Sequence, residues 1–167
     1  MKQYMKLHEY VITEQYGVPF HVCENLVDHH LLPMNHIRNT SFKHPIIVSK
    51  KSGYRHPKYE ESKGRSLSTH EFMKDVDRED NGWGAADYTV QGVLFPQFIR
   101  IMIKQSPYTR ICFYPEAKMP FIHCDYRFKN RGEKFYYVSM EGKWVLGSVN
   151  DLIKSVDNRF EGKAINR

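Results

Sequence analysis

Residues 120–127 read Pro-Phe-Ile-His-Cys-Asp-Tyr-Arg. Side chains alternate sides along a strand, so His123, Asp125 and Arg127 share one face and Ile122, Cys124 and Tyr126 the other. An apolar face backed by a His/Asp/Arg face describes a half-buried strand lining a polar cleft. Thr109 to Tyr114 upstream and Lys134 to Ser139 downstream are further β-type runs. The second of these turns at Glu141-Gly142 into Lys143 to Leu146, a hairpin signal.

Further out, the pattern changes period. Asn25 is expected to cap a helix beginning at Leu26-Val27, with Asp28 in its first turn and Pro33 interrupting or kinking it before Met34 and Ile37. A short segment near Leu7 to Ile12 precedes it. Pro45 to Val48 reads as a short buried strand and Ala85 to Val90 as another. Gly92 to Lys104 is apolar at helical spacing with Pro96 in its first turn. Lys50 to Asn81 is polar and broken by Gly53, Pro57 and Gly64, so it is expected to be mostly loop, the kind of long loop that tends to carry function. Asn150 is expected to cap a closing helix through Asp151 to Val156. Helices first and clustered strands later predict a single α+β domain over residues 1–167. Its sheet is expected to be small and mainly antiparallel, with helices packed on one side.

Composition narrows the function. At 167 residues with 41% hydrophobic and 14% aromatic content, the chain can bury a core, which excludes a disordered tail. No apolar run approaches the roughly 20 residues of a bilayer span, so no membrane insertion is expected. The start, MKQYMKLHEY, is not a secretory signal, which predicts synthesis in the cytoplasm without a leader. Twenty-five Lys and Arg against 19 Asp and Glu give a formal charge of +6, suited to a polyanionic partner or simply to a basic surface. The basic residues are scattered rather than striped, so no nucleic-acid partner is expected. Cys23, Cys112 and Cys124 are odd in number without CxxC spacing, and free thiols are expected.

Of the nine histidines, His29 and His30 are adjacent and would point apart on a helix, while His8, His21, His36 and His44 lie among ordinary surface residues. His70 and His123 keep better company. His70 closes Arg65-Ser66-Leu67-Ser68-Thr69-His70, and Gly82-Trp83-Gly84-Ala85-Ala86-Asp87 places a carboxylate at a strand start. Two histidines and one carboxylate can hold Zn²⁺ and leave a fourth position for water, whose pKa then falls to about 7. No local chelate such as HExxH is present, and spacing alone does not choose this reading over a core histidine and a loop histidine that bind nothing.

In one order the chain carries Asn25-Leu26, Leu32-Pro33, Arg38, Pro45 to Val48, Ser52-Gly53-Tyr54-Arg55-His56-Pro57, Ser68-Thr69-His70, Ala85-Ala86-Asp87 and Ile122-His123-Cys124-Asp125. That succession, over roughly Leu7 to Arg127, resembles the zinc D-Ala-D-Ala carboxypeptidases and their phage endolysin relatives. The resemblance implies a Hedgehog/DD-peptidase type fold with one Zn²⁺ held by His70, Asp87 and His123. It implies that Arg55 binds or polarises substrate, with Tyr54 and Ser68 as substrate-binding neighbours. Two features depart from the family pattern. Glu71 to Asn81 is an acidic insertion between the first two ligands, whose Asp75, Asp77 and Asp80 could attract a cation or simply form a solvated acidic loop. Trp83 falls where a glycine is usual, with Gly82 and Gly84 flanking it and expected to supply the same close backbone approach. Pro120 and Phe121 stand where relatives carry the Glu or His that handles the proton. Asp125 is then the nearest candidate, either as general base or as the group that orients His123, with Glu116 a distant third choice.

The function implied is a zinc metallopeptidase of the DD-carboxypeptidase or endolysin type. Its expected partners are peptide stems of peptidoglycan, and a monomer acting on the cell wall as a phage lysis or virion protein is expected. The alternative keeps the fold without hydrolysis, as a wall-binding or virion structural module.

Overall fold

Apolar residues from Val22 to Phe42 recur at helical spacing and wind one long helical segment. The computed structural model describes residues 3–11, 16–49 and 51–161; Ile12, within the first expected segment, lies outside them. Helix α1 (Phe20–Leu26) passes through a wide π-type turn at Val27–Leu31 into α2 (Leu32–Ile37), and a second wide turn, Arg38–Phe42, ends the segment. Pro33 accounts for the first widening. It has no N–H, and its ring crowds the carbonyl of His29 out of the ladder. The Tyr126 hydroxyl donates to that carbonyl at 2.5 Å. Asn25 is not the cap: α1 starts earlier, behind Pro19, and the Asn25 amide instead donates to the Gly82 carbonyl at 3.2 Å.

The strands are β1 (Ile47–Val48), β2 (Lys74–Asp75), β3 (Asp80–Asn81), β4 (Ala85–Thr89), β5 (Arg110–Tyr114), β6 (Phe121–Asp125), β7 (Phe135–Met140) and β8 (Lys143–Gly147). The remaining helices are α3 (Pro57–Glu61), α4 (Phe95–Gln105) and α5 (Val149–Phe160). The expected loop over 50–81 therefore holds a short helix and the small β2–β3 ribbon. Helix α5 is capped by Ser148 rather than Asn150, its hydroxyl accepting from the Asp151 amide at 3.2 Å. Asp151 returns the bond to the Ser148 amide, and this reciprocal pair fixes the start.

Six strands form one mixed sheet in the order β1-β4-β6-β5-β7-β8, and β2 pairs with β3 separately. Neighbours in the large sheet are antiparallel except β5 and β7, which run parallel. The exception has a simple cause. Strand β6 lies between β4 and β5 and finishes with Asp125 opposite Arg110, the first residue of β5. A short connection from that end enters the free side of β5 running in the same direction as β5. The β7–β8 hairpin turns at Glu141 and Gly142 with φ of 50° and 72°, as a type I′ turn requires.

The apolar sheet face (Ala86, Tyr88, Ile111, Phe113, Ile122, Cys124) and the buried residues of α1, α2, α4 and α5 share one core, including Leu26, Met34, Phe98 and Val156. The opposite face, set by strand alternation and register, carries Asp87, His123, Asp125, Arg110 and Cys112. Cys112 and Cys124 are buried, and all three cysteines are unpaired. Among the described residues, no helix is long and apolar enough to cross a membrane.

One buried polar group gives this core a pH dependence. His30 is fully buried, its Nε2 2.9 Å from the Trp83 carbonyl and its Nδ1 3.1 Å from the Tyr108 hydroxyl. The carbonyl can only accept, so Nε2 carries the proton and Nδ1 accepts from the phenol. Burial pushes the His30 pKa down to about 3, against the pull of the Trp83 carbonyl. Its unfolded value lies higher, near 6.5, so the unfolded chain binds the extra proton and stability falls as pH drops from about 6.5 toward 3. The slope contributed is at most about 1.4 kcal/mol per pH unit. Chemical denaturation across that range should show the decline for the wild type and a flatter profile for His30→Gln.

Candidate metal centre

Two of the three expected ligands meet by strand register. Asp87 on β4 and His123 on β6 are direct cross-strand partners, which brings their side chains side by side. His70 comes from a 3-10 turn at Thr69–Glu71. The Ser68 hydroxyl accepts from the His70 amide at 3.3 Å, and the Glu71 carboxylate accepts from the Ser68 amide at 2.9 Å, which closes the turn at both ends. The Arg55 amide donates to the His70 carbonyl at 2.8 Å, tying the turn to the 52–55 segment.

That segment explains its glycine. A Cβ on Gly53 would lie 2.0 Å from the Tyr10 carbonyl oxygen, which accepts from the Tyr54 amide at 2.7 Å. The Gly53 carbonyl in turn accepts from His70 Nδ1 at 2.8 Å. A Gly53→Ala substitution must move backbone, and a loss of about 3 kcal/mol or more in denaturant unfolding is expected. Gly84 supplies the close approach expected beside Trp83: its φ is 78°, and a Cβ there would lie 2.2 Å from the Phe72 ring.

Donor atoms of His70, Asp87 and His123, all buried, lie within 4.8 Å of one another, and these are the one such group among the described residues. His70 Nε2 is 3.2 Å from His123 Nδ1, His123 Nδ1 is 2.8 Å from Asp87 Oδ1, and His70 Nε2 is 3.4 Å from the same oxygen. The edge of a tetrahedral zinc shell is about 3.3 Å for ligands 2.0–2.1 Å from the ion. The tautomers agree with this arrangement. His70 gives its Nδ1 proton to the Gly53 carbonyl, and His123 Nε2 lies 2.9 Å from Asp125 Oδ2. Each ring spends its outer N–H on an acceptor, and a lone pair from each faces Asp87. A cation must sit among three such lone pairs, either a metal ion or a proton on His123.

The electrostatics tell which groups are charged. Burial works against the ionised form of Asp87, yet His70 and His123 hold its carboxyl well below the usual range. Burial lowers the His70 pKa. For His123 burial also works downward, but hydrogen bonds to Asp125 and Asp87 raise it. Arg55 Nη2 stands 3.4 Å from Asp87 Oδ2, so the two carboxylate oxygens divide between the imidazoles and the guanidinium. Two imidazoles and a carboxylate form a donor set that a divalent transition ion accepts readily.

Asp125 sits behind His123 rather than beside the donor triangle. Arg110 forks onto it through Nε at 3.0 and 3.1 Å and through Nη2, and the Arg127 amide donates to it at 3.0 Å. Both oxygens are taken. Despite burial, Arg110 and His123 hold the carboxyl far below its ordinary value, so it is a poor proton acceptor. Of the two roles considered for Asp125, this geometry favours orientation of His123 over general base.

The triangle lies at the floor of a cleft of about 570 Å³ walled by Arg55, Arg65, Arg78, Arg110 and Arg127 and, at one end, by Tyr114, Phe121 and Trp144. Ser68 reaches this cleft with its hydroxyl engaged in the His70 turn. Tyr54 does not: it is 2% exposed and packs in the core near Phe72, because side chains alternate and its neighbour Arg55 takes the cleft side. Glu116 lies outside the cleft, accepting from the Glu141 amide at 2.9 Å. In the acidic insertion, Asp75 pairs with Arg78 and Asp80 accepts from the Gly82 amide, so these carboxylates turn to protein partners. Sequence reasoning missed Arg110, whose place opposite Asp125 follows only from strand register, and Thr69, whose hydroxyl lies 3.3 Å from His123 Nε2.

Compared with known families, curated proteins and solved structures, the chain matches none of them.

Proposed function

We propose that the protein is a zinc-dependent hydrolase that cuts peptide bonds of peptidoglycan. One observation carries the reading: three donor atoms from distant parts of the chain converge at 2.8–3.4 Å, with the outer nitrogen of each imidazole already committed to an acceptor. A zinc ion held there would supply Lewis acidity and a water of lowered pKa. The chain itself does the rest. His70, Asp87 and His123 hold the ion, Asp125 fixes the His123 ring, and Arg110 keeps Asp125 ionised. Arg55 steadies the outer oxygen of Asp87 and stands in the cleft wall, where a guanidinium can clamp a carbonyl or carboxylate of the substrate. The peptidoglycan substrate rests on the resemblance set out above and on the formal charge of +6.

A second reading, a wall-binding or virion structural module, has its own observation. Among the described residues lining the cleft, no carboxylate or imidazole lies outside the donor triangle to take a proton. Zymography on purified peptidoglycan separates the two. The hydrolase reading expects clearing by the zinc-loaded protein and none after chelation. Zinc-loaded protein that binds the wall and clears nothing supports the module.

A further inference from the structure

Five arginines and no lysine line the cleft. Four of them are tied down at close range. Arg55 Nε donates to the Lys51 carbonyl at 2.7 Å, and Arg65 Nε is 2.8 Å from Glu60. Arg78 is held by the Leu67 carbonyl at 3.2 Å and by Asp75 at 3.3 Å, and Arg110 by its fork onto Asp125. Arg127 is different. Its nearest carboxylate oxygen, on Asp80, is 4.0 Å from Nη2, and its Nε is sealed from solvent with no hydrogen-bond partner. Only 16% of the side chain is exposed. Asp80 is a weak counter-ion for it, because at 4.0 Å it makes no hydrogen bond to the guanidinium. A guanidinium this far out of water calls for a closer anion, and the open side from which one can come is the cleft.

We propose that the end of the cleft beyond Asp125 is a carboxylate-binding subsite centred on Arg127 and flanked by Arg78, so that the substrate carries an acidic group close to the bond that is cut. The term substrate rests on the hydrolase reading; the anion site does not. Arg127 lies in the turn just past the end of β6 and lines the same cleft as His123. One short peptide can therefore reach from the donor triangle to this guanidinium. A carboxylate there makes charge-assisted hydrogen bonds to the exposed nitrogens of Arg127 and supplies the negative charge that Asp80 delivers only from a distance. Arg78, 45% exposed at the cleft edge, adds a second positive charge. Tyr114, Phe121 and Trp144 stand at the other end of the cleft, so its two ends differ in chemistry and the substrate has one preferred direction.

The test needs no turnover. Acetylated, C-terminally amidated Ala-Glu and Ala-Gln, in both the L and D series, are titrated calorimetrically into zinc-loaded and chelator-treated protein. In at least one series the acid should bind about tenfold more tightly than the amide, with or without zinc. Arg127→Gln should bring the ratio close to one, and Arg78→Gln should lower it. Arg100→Gln, on the exposed α4–α5 surface where Arg100 pairs with Asp157, should leave it unchanged. Arg78 is exposed, so its variant remains informative should Arg127→Gln fail to fold. Equal binding of acid and amide, a ratio unmoved by Arg78→Gln, or no saturable binding at millimolar peptide would overturn the proposal. Loss of the hydrolase reading would appear separately, as absence of zinc binding or of clearing, with the acid preference intact.

Discussion

Zinc is expected to raise the melting temperature of the wild-type protein and to leave Asp87→Ala unmoved. An ion that binds only the folded chain stabilises it by about 2.7 kcal/mol at a free concentration one hundred times its dissociation constant. For a domain of this size that corresponds to a rise of roughly 5–10 °C. Asp87 supplies the oxygen that lies 2.8 Å from His123 Nδ1 and 3.4 Å from His70 Nε2. Without it two imidazoles remain, and zinc affinity should fall by more than about a hundredfold, beyond what loss of an outer partner costs. Thermal scans with and without zinc, together with the metal content of purified wild type and variant, read both effects. A zinc-dependent rise of equal size in Asp87→Ala would remove this carboxylate from the site.

Asp125→Asn should be the most damaging single change on the cleft face. The variant leaves Arg110, with a side chain only 16% exposed, as a buried cation without its counter-ion. Breaking a buried pair in this way costs about 3–5 kcal/mol, or on the order of 10 °C in melting temperature. It also slackens the His123 ring, and zinc affinity should drop about 10–100-fold. The double variant Arg110→Met, Asp125→Asn separates the two effects. Removing the stranded cation should recover much of the stability while zinc affinity stays low. Recovery of both together would mean that Asp125 acts through the fold alone.

Much of this site was legible because strand alternation is a local rule. Alternation over 120–127 puts His123, Asp125 and Arg127 on one face; in the structure His123 and Asp125 share that face of β6, while Arg127, in the turn beyond the strand, lines the same cleft. The meeting of Asp87 with His123 was not legible from spacing, since 36 positions separate them and only pairing register brings them together. Arg110 was invisible for the same reason: nothing in its own strand marks Asp125 as its partner. Tyr54 was misplaced because a motif names residues without saying which way each side chain points, and next to Arg55 it turns inward. The helix starts at Asn25 and Asn150 failed for a different cause. Several residues before each apolar run could begin the helix, and Pro19 and Ser148 take the role. The parallel β5–β7 pair arises from the insertion of β6 between β4 and β5, a long-range event that no local pattern encodes. His30, dismissed beside His29 as a chelating pair, is a core residue whose partners Trp83 and Tyr108 come from far along the chain.

The measurement that bears most directly on the donor triangle is anomalous diffraction at the zinc edge from crystals grown with zinc. One peak per chain is expected, within about 2.0–2.2 Å of His70 Nε2, Asp87 Oδ1 and His123 Nδ1. A zinc-containing crystal whose peaks all lie elsewhere, with His123 Nδ1 still bonded to Asp87, would show that a proton and not a metal closes this site.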